Sequence, residues 1–129
     1  RIETRGLADS SFINDLSGEI LARSLVLIDV EGAEFDLLTQ SVLRYLSSSV
    51  VIVELHDHLV TNGASALEKL VSRAESIFHV DFLAAGARDP SKYDELSGFS
   101  DNDRWLIFSE GRKRAGRWMR LTPMAATES

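Results

Sequence analysis

The sequence predicts an α/β domain whose sheet is mainly parallel and ends in an antiparallel hairpin, on three observations. Two short apolar runs, Leu25 to Val30 and Val50 to Leu55, flank a segment whose apolar residues recur at helical spacing. A second stretch of helical period, from Leu67, leads into an alternating run at residues 79–83. Further on, Gly111 and Gly116 bracket a basic cluster in the pattern of a hairpin tip.

Leu25-Val26-Leu27-Ile28-Asp29-Val30 is mostly aliphatic and reads as a strand buried on both faces. Glu31-Gly32-Ala33 makes a tight exit, with Gly32 supplying a positive φ or a close backbone approach. From Glu34 the period changes, and Phe35, Leu38, Val42 and Leu46 share one helical face with Leu43 and Tyr45 alongside. Ser47-Ser48-Ser49 stops that helix, and Val50 to Leu55 is the second buried strand of a β-α-β unit. After a loop at Thr61-Asn62-Gly63, Leu67, Leu70, Val71, Ala74, Ile77 and Phe78 predict a second helix. His79 to Leu83 follows as a third, half-exposed strand. Residues 84–103 hold two glycines, Pro90 and many polar side chains, which predicts a long loop with a helical turn at Tyr93 to Leu96. Trp105 to Ser109 reads as a fourth strand, returning through the tip of Arg112, Lys113 and Arg114 to Arg117–Leu121. Residues 122–129 read as a frayed tail.

A length of 129 residues suits one domain, and 44% hydrophobic residues argue against disorder. No apolar run approaches the length that crosses a bilayer, so no membrane partner is expected. The absence of cysteine excludes disulfides, a thiol nucleophile and thiolate metal sites, and fits the expectation of a cytoplasmic protein. The net charge of −6 is uneven: residues 1–103 carry 8 basic and 18 acidic side chains, whereas residues 104–120 carry 6 basic ones against Glu110 alone. An acidic body repels a nucleic-acid backbone, which excludes a general DNA or RNA binder. The basic tip reads as a solvated turn or as a place to attract one anionic group. No G-x-S-x-G elbow, P-loop lysine motif or G-x-G-x-x-G turn is present.

Open α/β sheets bind ligands beyond the carboxyl ends of their parallel strands, which brings forward Asp29, Glu31, Glu54, His56 and Asp57. Asp29 ends an aliphatic strand, where a carboxylate is costly unless paired. It is a ligand-facing base, metal ligand or acceptor, or else a cap for the loop amides. Glu34 opens a helix, where negative charge is favourable by about 0.3–1 kcal/mol. Alternation puts Glu54 and His56 on one face of their strand with Leu55 on the other. His56 is a candidate general base, its reference pKa lying near neutrality, or a loop histidine bonded to a carboxylate. His58 reads as a loop residue. Asp29, Glu54 and His56 together offer a divalent-ion set, but no closely spaced ligand motif accompanies them, and the sequence reading assigns no metal.

Leu27-Ile28-Asp29-Val30-Glu31-Gly32-Ala33-Glu34, an amphipathic helix, and then Ile52-Val53-Glu54-Leu55-His56 together resemble the FkbM family of S-adenosylmethionine-dependent methyltransferases. Ser10 to Leu16 is similar to a short element that commonly precedes the first signature. The resemblance covers residues 10–58 and implies the C-terminal half of a Rossmann-like class I methyltransferase sheet. Leu25 to Val30 would be the fourth strand of that sheet and Val50 to Leu55 the fifth. His79 to Leu83 and Trp105 to Ser109 would be the sixth and seventh, in the antiparallel end pairing of the fold. It implies Asp29 and His56 as catalytic residues, Asp29 and Glu31 beside the cofactor, and Glu34, Glu54 and Asp57 on the substrate side. The cofactor would be S-adenosylmethionine and the partner a small-molecule acceptor, methylated on a hydroxyl oxygen. Only 24 residues precede Leu25, with no strand and glycine-rich turn among them, so the cofactor-binding half is expected outside this chain and the chain alone is expected to be inactive.

Two other functions compete. One is a stand-alone, non-enzymatic α/β interaction module of the same fold. A truncated sheet would expose the apolar face and edge of Leu25 to Val30 and favour a homodimer. The other is a metal-dependent hydrolase built on Asp29, Glu54 and His56.

Overall fold

The computed structural model describes residues 2, 6, 16–86, 88–109 and 115–124. Most of the element at Ser10 to Leu16, the basic tip Arg112–Arg114 and the tail from residue 125 lie outside the described residues. The chain divides into two units, residues 1–83 with 117–129, and residues 84–116.

The first unit is α/β. Helix α1 (Gly18–Leu21) leads into β1 (Leu25–Ile28), α2 (Glu34–Leu37), α3 (Gln40–Tyr45), β2 (Val50–Leu55), α4 (Gly63–Glu75), β3 (Phe78–Ala84) and, after the second unit, β4 (Arg117–Pro123). The strands form a four-stranded mixed sheet in the order β1-β2-β4-β3. β1 and β2 are parallel, and β4 runs antiparallel between β2 and β3. Three strands therefore share a direction, but only one hydrogen-bonded pair is parallel. β4 continues to Pro123, so the first two residues expected in the frayed tail belong to the sheet.

The register explains which residues are buried. Val26, Ile28, Val51, Val53, Met119 and Leu121 fall on one face, because Val51 pairs with Val26 and Leu121, and Val53 with Ile28 and Met119. That face joins Phe35, Leu38, Val42, Leu43, Leu46, Leu70 and Ala74 of the helical layer in one core. The opposite face is open at β1, where Leu25 and Leu27 are each 64% exposed. The expectation that β1 is buried on both faces is thus corrected. Among the described residues β1 lies at a sheet edge and its outward-facing leucines meet no covering layer.

The single helix expected from Glu34 is two short ones. Thr39 takes an extended conformation and its hydroxyl accepts the Val42 N–H (3.3 Å), capping α3 and ending α2. The apolar face survives the break, since Phe35, Leu38, Val42 and Leu46 are all buried.

The second unit overturns one strand. Trp105 to Ser109 is not the fourth strand but the C-terminal part of helix α5 (Asp101–Ser109). Ser100 starts it: its hydroxyl accepts the Asp103 N–H (3.3 Å), the bond of an N-cap, and donates to Asp103 Oδ2 (2.6 Å). The loop before it holds 3-10 turns at Pro90–Lys92 and Asp94–Leu96, the second matching the turn expected there. Asp89 accepts from the Ser91 hydroxyl and N–H, and these bonds hold its carboxyl below the ordinary value. Arg104 ties the helix back to the carbonyls of Phe99 (3.0 Å) and Ser97 (2.8 Å).

At the start of α4 an added Cβ on Gly63 would sit 1.7 Å from the Asp57 carbonyl oxygen, whereas one on Gly18 meets nothing within 4 Å. Gly63→Ala is therefore expected to destabilise the protein by about 1–3 kcal/mol. Gly18→Ala should stabilise it by about 0.4–1 kcal/mol. Urea denaturation of the two variants reads both, and equal midpoints would contradict the close approach at Gly63.

Candidate functional site

The two strands that run parallel, β1 and β2, deliver their carboxyl ends side by side, with Ile28 paired to Val53. Asp29, Glu31 and Glu34 follow the first strand, and Glu54 and His56 close the second. The exit from β1 is a turn closed by the Ala33 N–H donating to the Val30 carbonyl (3.1 Å). It requires positive φ at Glu31 (51°) and Gly32 (101°). Gly32 supplies the positive φ expected of it, and the close neighbour a Cβ there would meet is a side chain, Val60 Cγ1 at 3.1 Å, not backbone. Glu31 takes the left-handed conformation with a side chain attached, an uncommon state for a non-glycine residue.

Glu34 holds the site together. Its carboxylate is fully buried and accepts the Gly32 N–H at Oε2 (2.8 Å) and the His56 N–H at Oε1 (2.6 Å). One side chain thus satisfies donors from the exits of both strands. Helix-end electrostatics, the sequence reading of Glu34, does not account for a contact 22 positions away.

The His56 ring is ringed by carboxylates. Nε2 lies 3.6 Å from Glu31 Oε2 and 3.8 Å from Asp29 Oδ1, and Nδ1 lies 3.6 Å from Glu34 Oε1. His56 is 7% exposed and its Nδ1 has no hydrogen-bond partner. Asp29, Glu54 and His56 each bring one donor atom within 4.8 Å of the others. Glu54 is buried, and the Asp29 side chain is 46% exposed, open to a ligand.

Asp57 is held elsewhere. It opens the 3-10 turn Asp57–Leu59, which the Leu59 N–H closes onto the His56 carbonyl (2.8 Å), and its carboxylate accepts from Arg117 of β4. His58 is exposed, its ring centroid 6.1 Å from that of His56. A separate concavity of about 700 Å³ lies by α2 and the first turns of α4, lined by Asp36, Asn62, Ser65, Lys69 and Arg73 among others. None of the sequence-predicted site residues lines it.

The sequence reading missed two features: the reach of Glu34 to the second strand, and the Arg117–Asp57 pair. Neither has a local signal, since both join segments far apart in the chain.

Glu34→Gln keeps the shape but presents an amide NH₂ to one of the two donors. It is expected to lower the unfolding free energy by about 1.5–3 kcal/mol, the range for hydrogen bonds to a charged group. An unchanged urea midpoint would show that the carboxylate holds neither strand exit.

Comparison with known proteins adds no relative: no family model matches this chain, and no curated protein or solved structure matches it either.

Proposed function

We propose that this chain is the acceptor-side part of an S-adenosylmethionine-dependent methyltransferase that methylates a hydroxyl oxygen of a small molecule. The observation that carries the reading is the Glu34 bridge. It ties together the two sequence segments whose resemblance suggested the family, and their acidic and histidine side chains converge on one place. That place lies beyond the carboxyl ends of parallel strands, where α/β sheets bind ligands.

Two features of the sheet support the reading. β4 lies antiparallel beside β2, as the end pairing of the fold requires, although the counterpart of the seventh strand is Arg117–Pro123 and not Trp105 to Ser109. The outer edge of β1, with Leu25 and Leu27 exposed, is where the cofactor-binding half of such a sheet would continue.

The donor, when bound, supplies a methyl group activated by a sulfonium. The exposed carboxylates of Asp29 and Glu31 fit its cationic end, and the described residues contain no glycine-rich turn after a strand to grip the rest of it. Asp29 accepts the proton of the acceptor hydroxyl, with His56 Nε2 beside it as the second base. Glu34 keeps the two aligned, and alignment supplies most of the rate in an in-line transfer. The interaction-module alternative rests on the same open β1 edge and predicts a dimer in sedimentation.

Calorimetric titration of residues 1–129 with S-adenosylhomocysteine should give no heat, and micromolar binding would overturn the assignment of this chain to the acceptor side. In a protein that joins this chain to a donor-binding half, Asp29→Asn should cut methyl transfer at least about tenfold. Undiminished turnover would remove Asp29 from the chemistry.

A further inference from the structure

We propose that Asp29, Glu54 and His56 bind one divalent cation of the Mn²⁺ or Zn²⁺ class. An imidazole that is 7% exposed is expected to be hydrogen-bonded, yet Nδ1 of His56 has no partner. Nε2 stands 3.6 and 3.8 Å from two carboxylate oxygens, beyond hydrogen-bond reach. Carboxylates thus close around a buried ring without bonding to it.

A cation accounts for this arrangement. The donor atoms of Asp29, Glu54 and His56 already lie within 4.8 Å of one another, and ligands about 2.0–2.2 Å from a common ion lie up to about 4.4 Å apart. A small inward shift of these side chains closes the set. His56 then binds through Nε2, the nitrogen facing Asp29. The same shift brings Nδ1–H onto Glu34 Oε1, now 3.6 Å away, and makes the carboxylate–histidine–metal relay that fixes the tautomer. Glu34 is placed for that role because the His56 N–H already anchors it (2.6 Å). Glu31, with its side chain 77% exposed and Oε2 3.6 Å from Nε2, is a further oxygen donor at the open side. One imidazole with two or three carboxylates suits Mn²⁺ or Zn²⁺ better than Ca²⁺, which prefers oxygen alone. Binding of the ion does not depend on the methyl-transfer reading. Its use there, holding the acceptor oxygen while the second oxygen of Asp29 takes the proton and Nε2 serves as a ligand instead of a base, rests on that reading.

The competing account is an imidazolium paired with its carboxylates and no ion. Titrating the full 129-residue chain with Mn²⁺, followed by loss of the free-ion paramagnetic resonance signal and with no methyl donor present, separates the two. Expected are one Mn²⁺ per chain, a raised melting temperature at saturation, and affinity weakened at least about tenfold in Asp29→Asn. Asp29 is half exposed, so this variant should fold, which a metal-free melt checks. Glu54→Gln is the second variant and should weaken binding likewise. No stoichiometric binding, or wild-type affinity in a folded Asp29→Asn, would overturn the proposal. Mn²⁺ bound here while a donor-competent protein shows no methyl transfer would leave the cation site standing and remove the methyltransferase reading. The reverse result would do the opposite.

Discussion

The buried carboxylate of Glu34 is the constraint on which both strand exits depend. A charge at full burial is tolerated only when its oxygens are satisfied, and here each takes a backbone N–H, one from Gly32 and one from His56. The Gly32 bond needs a turn with two consecutive positive φ values, which is why glycine stands at 32 and why Glu31 adopts a conformation it would otherwise avoid. The His56 bond sets where the backbone leaves β2, and with it the position of the imidazole. The cluster of Asp29, Glu31, Glu54 and His56 is assembled around this link.

The sheet explains why the site is open on one side. Helices α2, α3 and α4 contribute to the core that covers one face, where register aligns Ile28, Val53 and Met119. The other face at β1 carries exposed Leu25 and Leu27, so the edge of the sheet and the acidic strand ends are accessible from the same strand. Surface ion pairs add little to this framework. The Arg120–Asp81 pair has both partners about half exposed, a setting in which such pairs contribute about 0–1 kcal/mol.

Helix α5 shows how a local signal can be outvoted by a misleading one. Trp105, Leu106, Ile107 and Phe108 are consecutive large apolar residues, and a short apolar run does not distinguish a strand from a helical segment. The decisive signal lay upstream, in Ser100 and Asp103 three residues apart, with Asp101 adding acidic charge to the first turn. The split at Thr39 is similar: the apolar period runs through it unbroken, and only the capping hydroxyl marks the boundary.

By itself the sequence determined what depends on neighbours along the chain. Hydrophobic period gave β1, β2, α4 and β3 and most of the core, because burial follows a fixed repeat within each element. Strand-end position brought forward Asp29, Glu54 and His56 together, because alternation and the parallel pairing put chain ends at one edge. Tertiary structure decided the rest. The insertion of β4 between β2 and β3, the exposure of one face of β1, the pairing of Asp57 with Arg117 and the reach of Glu34 to His56 all join residues distant in sequence. Such contacts are selected by the packing of the whole core and by the need to satisfy each buried polar group, and no local pattern encodes either.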